Sequence, residues 1–164
     1  MSSSSSFVAR VLVVLIFLGS AFDTISNFGP DGGPAMPAVK AKLALLYNTA
    51  SSVELVKIAM ASVPAALVPT PSQLLMSSAI VQVFGAVLFL LDFALGARLL
   101  ALFLVVVTPV MHTFWSEPAN SYAQSLEYIN FLKNCAILGG LLNYVHLKKQ
   151  AVRAARAQGR VKQA

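Results

Sequence analysis

Four stretches of about twenty mostly apolar residues constrain this chain more than any other feature. Crossing roughly 30 Å of hydrocarbon takes about 20 such residues, and as a helix, because a backbone in lipid must satisfy its own hydrogen bonds. Residues 7–22 are apolar except for Arg10 and Ser20, and stop at Asp23. Residues 74–91 are broken by Ser77, Ser78 and Gln82 and stop at Asp92. Residues 95–114 follow, with Pro109 placed to kink the helix near its end. Residues 126–147 are the most polar of the four, carrying Lys133, Asn134 and Asn143. Short links join the second, third and fourth stretches, so these helices run antiparallel. The pattern predicts an all-α membrane protein, a four-helix transmembrane bundle. Composition agrees: 57% of the 164 residues are hydrophobic and 11% charged, against about 25% charged in soluble domains.

With four spans both termini lie on one side. That side holds Arg10, Arg98 and the tail cations Lys148, Lys149, Arg153, Arg156, Arg160 and Lys162, against Lys40, Lys42, Lys57 and Lys133 on the other. The positive-inside rule then puts the termini on the cytoplasmic or matrix-equivalent face. The net charge of +6 reads as this bias about a bilayer and not as nucleic-acid binding. The basic tail, residues 148–164, either extends the fourth helix onto anionic lipid through Lys148, Lys149, Arg153, Arg156 and Arg160 or stays solvated. Residues 1–6, with their serine run, read as disordered. The first apolar stretch, ending Gly19-Ser20-Ala21, also has some features of a cleavable signal peptide, although its leading segment carries a single cation.

About fifty residues separate the first two spans, too many for a bare loop. Residues 27–37 are a turn cluster, in which Gly29, Asp31, Gly32 and Gly33 form either a tight turn or a backbone nest for an anion. No GK[ST] follows, so the spacing is not that of a phosphate-binding P-loop. Residues 38–48, with Lys40 and Lys42 on a polar edge, and residues 53–63 read as interfacial helices roofing the bundle.

Ionisable groups at membrane depth are functional hypotheses by default. Arg10, Arg98 and Asp92 lie near span ends, where they anchor or pair with each other. Towards the opposite end the spans bring Asp23, His112, Trp115, Glu127, Lys133 and Asn134 to similar depth. They form either an aromatic and ion-paired interface belt, with Lys133 paired to Glu127 or Asp23, or a site for a head group, a quinone carbonyl or a partner's carboxylate. Ala97/Ala101 and Ala136/Gly140 are small-xxx-small pairs suited to close helix packing. Built-in electron carriers are excluded. His112 and His146 end antiparallel helices roughly 30 Å apart, which rules out bis-histidine haem. No Glu-x-x-His pair exists for di-iron, and lone Cys135 runs no thiol–disulfide chemistry. No cofactor, metal or enzymatic activity is expected.

Phe7-Val8-Ala9-Arg10-Val11-Leu12, then Phe17-Leu18-Gly19-Ser20-Ala21 and Asn27-Phe28-Gly29-Pro30-Asp31-Gly32-Gly33-Pro34-Ala35, resemble the opening of the plant HR-like lesion-inducing proteins. The second half is similar to the DoxX superfamily: Phe84-Gly85, Gly96-Ala97-Arg98, Thr108-Pro109, His112-Thr113-Phe114-Trp115, Phe131-Leu132-Lys133-Asn134 and Leu138-Gly139-Gly140-Leu141-Leu142. The resemblance covers residues 7–147 and departs from the lesion-inducing pattern around 48–72, which is richer in Ala and Pro. It implies a four-span fold, a link to stress or cell death, and residence in an organellar membrane, mitochondrial or alternatively endoplasmic reticulum or plastid. The expected role is an accessory subunit or interaction module with a protein partner. The alternatives are a lipid- or quinone-binding component of a redox system and a partner- or cargo-binding protein of the endoplasmic reticulum.

Overall fold

A computed structural model describes the backbone of residues 3–161, and their side chains except at 3, 4, 55, 56, 59, 60, 65 and 159–161. Six α-helices make it up: α1 (Ser3–Ser26), α2 (Met36–Ser51), α3 (Glu54–Ala61), α4 (Pro71–Leu90), α5 (Ala94–Met111) and α6 (Tyr122–Val161), with 3-10 turns at Ala65–Leu67 and Phe114–Ser116. No strand occurs among the described residues. The two short helices of the long first connection stand where interfacial helices were expected. The described part of the serine run, read as disordered, instead forms the first turn of α1. At the other end α1 continues through Asp23 to Ser26.

Among the described residues, three helical segments are long and apolar enough to cross a membrane: Ser5–Ser26, Pro71–Leu90 and Ala94–Ser116. Residues 126–147, expected as a fourth span, lie within α6, which is not one of these segments and is continuous through the basic tail to Val161. Its apolar half is diluted by Asn130, Lys133, Asn134 and Asn143.

Local chemistry sets the helix boundaries. Thr70 caps α4 reciprocally with Gln73, Thr70 Oγ1 accepting from Gln73 N and Gln73 Oε1 accepting from Thr70 N, and Pro71 fills the first turn, where no amide is needed. The α4–α5 turn reverses through Asp92 at φ 69°, a left-handed conformation that Asp tolerates better than most residues. In the α1–α2 turn Gly32 and Gly33 take φ of 90° and 80°. A Cβ on Gly33 would stand 2.2 Å from Asn27 O, so only glycine fits there.

The long helices pack in sequence as an open arc. α4 lies between α1 and α5, α5 lies between α4 and α6, and α1 and α6 share no extended contact. The core joins Val14 and Phe17 of α1, Ala86 and Phe89 of α4, Ala97, Leu100, Ala101 and Leu104 of α5, and Leu141 of α6. Ala97 and Ala101 thus serve internal packing. Gly96 brings α5 so close to α4 that a Cβ there would lie 2.2 Å from Phe89 N and 2.6 Å from Gly85 O. α2 packs across α4 and α5, burying Met36 and Val39.

Candidate functional site

The gap between α1 and α6 is tied at one end by an ionic cluster and leaves a cavity towards the other. At the tied end Asp92 pairs with Arg10 of α1 and with Lys148 of α6, and accepts a 2.7 Å hydrogen bond from Tyr144. The hydrogen bond from Lys148 foremost, with Tyr144 and Arg10, holds the Asp92 carboxyl below its ordinary value of 3.8 against the opposing effect of burial. Arg10 is largely buried, its side chain 12% exposed, and its Nε has no hydrogen-bond partner among the described residues. Asp92 selects Arg10 of its two expected partners; Arg98 is exposed and outside the cluster. Lys148 belongs here, bonded to Asp92, and is not one of a row of cations free for lipid. Lys149, Arg153 and Arg156 are exposed on the continuing helix, whereas the Arg160 side chain and Lys162 lie outside the described residues.

A second cluster forms at the opposite end, under α2. Lys42 Nζ donates to Thr113 Oγ1 at 2.8 Å and pairs with Glu117 and Glu127, each at 3.3 Å. His112 Nδ1 meets the other Glu127 oxygen at 2.8 Å. A carboxylate can only accept, so Nδ1 carries the proton. Phe114 anchors an aromatic group beside it, edge-to-face with Trp115, Tyr128 and Phe131 at centroid distances of 5.0, 5.1 and 5.4 Å.

Of the six residues expected to gather here, the structure brings together His112 and Glu127, with Trp115 in the neighbouring aromatic group. Asp23 is elsewhere: exposed on α1, it accepts from Asn27 Nδ2 at 2.9 Å. Lys133 faces outward and makes no ion pair among the described residues, because six residues along α6 turn it away from the face that carries Glu127. Asn134 faces inward, onto the cavity. The anion nest does not form, since Gly32 N is spent on Gly29 O at 2.9 Å and Met36 N on Gly33 O at 3.0 Å, which makes this a tight turn. Asp31 is exposed. Ala136 and Gly140 lie on the outer face of α6, and a Cβ on Gly140 would meet nothing within 4 Å.

Lys42, Glu117 and Gln82 went unrecognised in the sequence. Lys42 had a signal: it stands three residues after Val39, on the same face of a 3.6-residue helix, whereas Lys40 does not. Glu117 sits in a loop, where no periodicity marks it.

The cavity is about 840 Å³ and is walled by α1, α2, α4, α5 and α6. Phe17, Val39 and Leu104 are buried along it, while Ile16, Leu102 and Val106 are more than half exposed, so it opens sideways between the helices. Polar groups on its wall include Gln82, Ser78, Asn134 and, at one end, His112. Among the described residues no group of His, Cys, Asp and Glu is arranged to hold a metal ion.

This architecture defines a class: an all-helical chain with three helices fit to cross a membrane, tied at both ends by ion pairs. More narrowly, the chain belongs to the HR-like lesion-inducing family, whose sequence model matches residues 2–147. No curated protein and no solved structure matches it.

Proposed function

We propose that this chain is a four-span, non-catalytic membrane protein that acts as an accessory subunit or interaction module of an organellar membrane complex. The observation that carries the reading is the outer face of α6. Lys133, Ala136, Gly140 and Asn143 are all exposed at spacings that align them in one stripe. Lys133 is about 9 Å along the helix from Glu127. A lysine on a lipid-facing helix centre costs about 3 kcal/mol on the insertion scale. Another helix covering this stripe removes that penalty, and the missing side chain of Gly140 lets its backbone come close. On this reading α6 completes its crossing in company, with both termini on the cytoplasmic or matrix-equivalent face. The wider kinship with DoxX-type proteins, and the link to stress or cell death, belong to the same proposal. So does mitochondrial residence; steady coincidence of a tagged copy with endoplasmic reticulum markers would instead favour partner or cargo binding there.

A photoreactive amino acid at Gly140 in intact membranes tests the reading, followed by native gels and mass spectrometry. The expected result is a crosslink to one other polypeptide and migration with a large complex, lost in Lys133→Leu while helix content is kept. Migration at monomer mass with no protein adduct would remove the interaction role.

A further inference from the structure

We infer that the cavity between α1 and α6 binds an uncharged lipophile bearing an alcohol group, held at mid-depth by Gln82 and Asn134. This goes beyond the interaction role and does not rest on it.

Gln82 is 4% exposed, yet it lines the cavity. Its Nε2 donates to Ser78 O at 3.3 Å, while its Oε1 accepts nothing from the described residues. Asn134 is half-buried on α6 and lines the same cavity, and its amide has no hydrogen-bond partner among the described residues. Amides turned onto an apolar wall are costly unless something satisfies them. The two also share a depth. Gln82 lies about 12 Å along α4 from its end at Leu90, and Asn134 about 15 Å along α6 from Tyr144. Tyr144 bonds Asp92 just past that end, so the helices share this reference plane.

The opening fixes the route of entry. Ile16, Leu102 and Val106 are exposed at this depth, so a ligand comes from the bilayer interior and not from water. The volume falls within the range of about 300–1,000 Å³ typical of small-molecule sites. No Lys, Arg, Asp or Glu lines the wall, and His112, at one end of it, is already bonded to Glu127, so a phosphate or carboxylate at mid-depth would bring a charge that nothing there pairs. Gln82 Oε1 needs a donor and Asn134 Nδ2 offers one. A hydroxyl supplies the donor that Gln82 lacks and can also accept from Asn134, whereas a ketone or quinone oxygen can only accept and leaves Gln82 Oε1 unmet.

The test uses the full chain in phosphatidylcholine nanodiscs with three diazirine-bearing C16 probes: an alcohol, its methyl ether and the matching ketone. Labelled peptides are read by mass spectrometry. The alcohol is expected to label the α1, α4 and α5 walls about tenfold more than the ether. In Gln82→Leu/Asn134→Leu its labelling falls to the level of the ether, which is itself unchanged. Equal labelling by alcohol and ether, or undiminished alcohol labelling in the double variant, overturns the site. Ketone labelling as strong as alcohol, and lost with it in the variant, overturns the alcohol assignment in favour of a carbonyl ligand. Should the double variant lose helix content, Val107→Trp, which fills the cavity, serves instead. Alcohol labelling of the wall that survives this block overturns the proposal.

Discussion

Replacing Gly96 by alanine tests the close approach of α5 to α4. The new Cβ would sit 2.2 Å from Phe89 N, where ordinary contact begins at 3.4 Å, and the opposing atoms are backbone that cannot rotate away. α5 must therefore retreat from α4 by about 1 Å, loosening the contacts among Ala86, Phe89, Ala97 and Leu100. Overpacking of this kind costs about 1–3 kcal/mol. In a chain of this length 1 kcal/mol shifts Tm by about 2–4 °C, which puts the expected loss at roughly 4–8 °C for the middle of that range. Circular dichroism melting in dodecyl maltoside measures it. Gly139→Ala is the control, because a Cβ there meets nothing within 4 Å and alanine favours helix over glycine. A Gly96→Ala protein that melts with the wild type, or a Gly139→Ala protein that falls as far, would refute the packing argument.

Two other perturbations address the tied ends. Asp92→Asn removes the partner of Arg10 and Lys148 and should cost about 2 kcal/mol, by the scale of hydrogen bonds to charged groups, measured as the drop in melting temperature. Because the Asp92 carboxyl is held below its ordinary 3.8, its stabilisation is complete above that pH and is lost as pH falls through the lower folded value. Wild type minus variant should therefore be flat from pH 7 to 5 and shrink only in stronger acid. Lys42→Met frees α2 from Thr113, Glu117 and Glu127 while His112 still bonds Glu127; faster amide exchange across Met36–Ser51, with α4 and α5 unchanged, is the expected readout.

The three most apolar helices are legible because hydrophobic run length is a strong signal for helices able to cross a bilayer. Even the direction of α6 followed, since His112 and His146 stand at opposite ends of antiparallel helices. The lateral arrangement was not legible. Run length says nothing about which helices touch, and the open arc depends on how far α4 and α5 together separate α1 from α6. The polar clusters show the same boundary. His112 and Glu127 were found at matching depth, but depth is one coordinate: Asp23 and Lys133 share it and face elsewhere. The sequence places Lys42 on a polar edge and no further, because the angular position of a short interfacial helix is set by what it packs on. Gly32 and Gly33 were read as either turn or nest, and it took the destinations of the amide hydrogens to decide.

The continuity of α6 beyond Lys148 acts as a ruler. Lys149, Arg153 and Arg156 recur at intervals that keep them along one side of the rod. On a helix standing upright, Arg153 rises about 7.5 Å above Lys148 and Arg156 about 12 Å. Electrostatic reach at physiological salt is about 8 Å, so each successive cation feels the membrane less and the aqueous phase more. On the proposed reading that α6 crosses the bilayer, the rod holds its positive edge at fixed heights above the lipid surface.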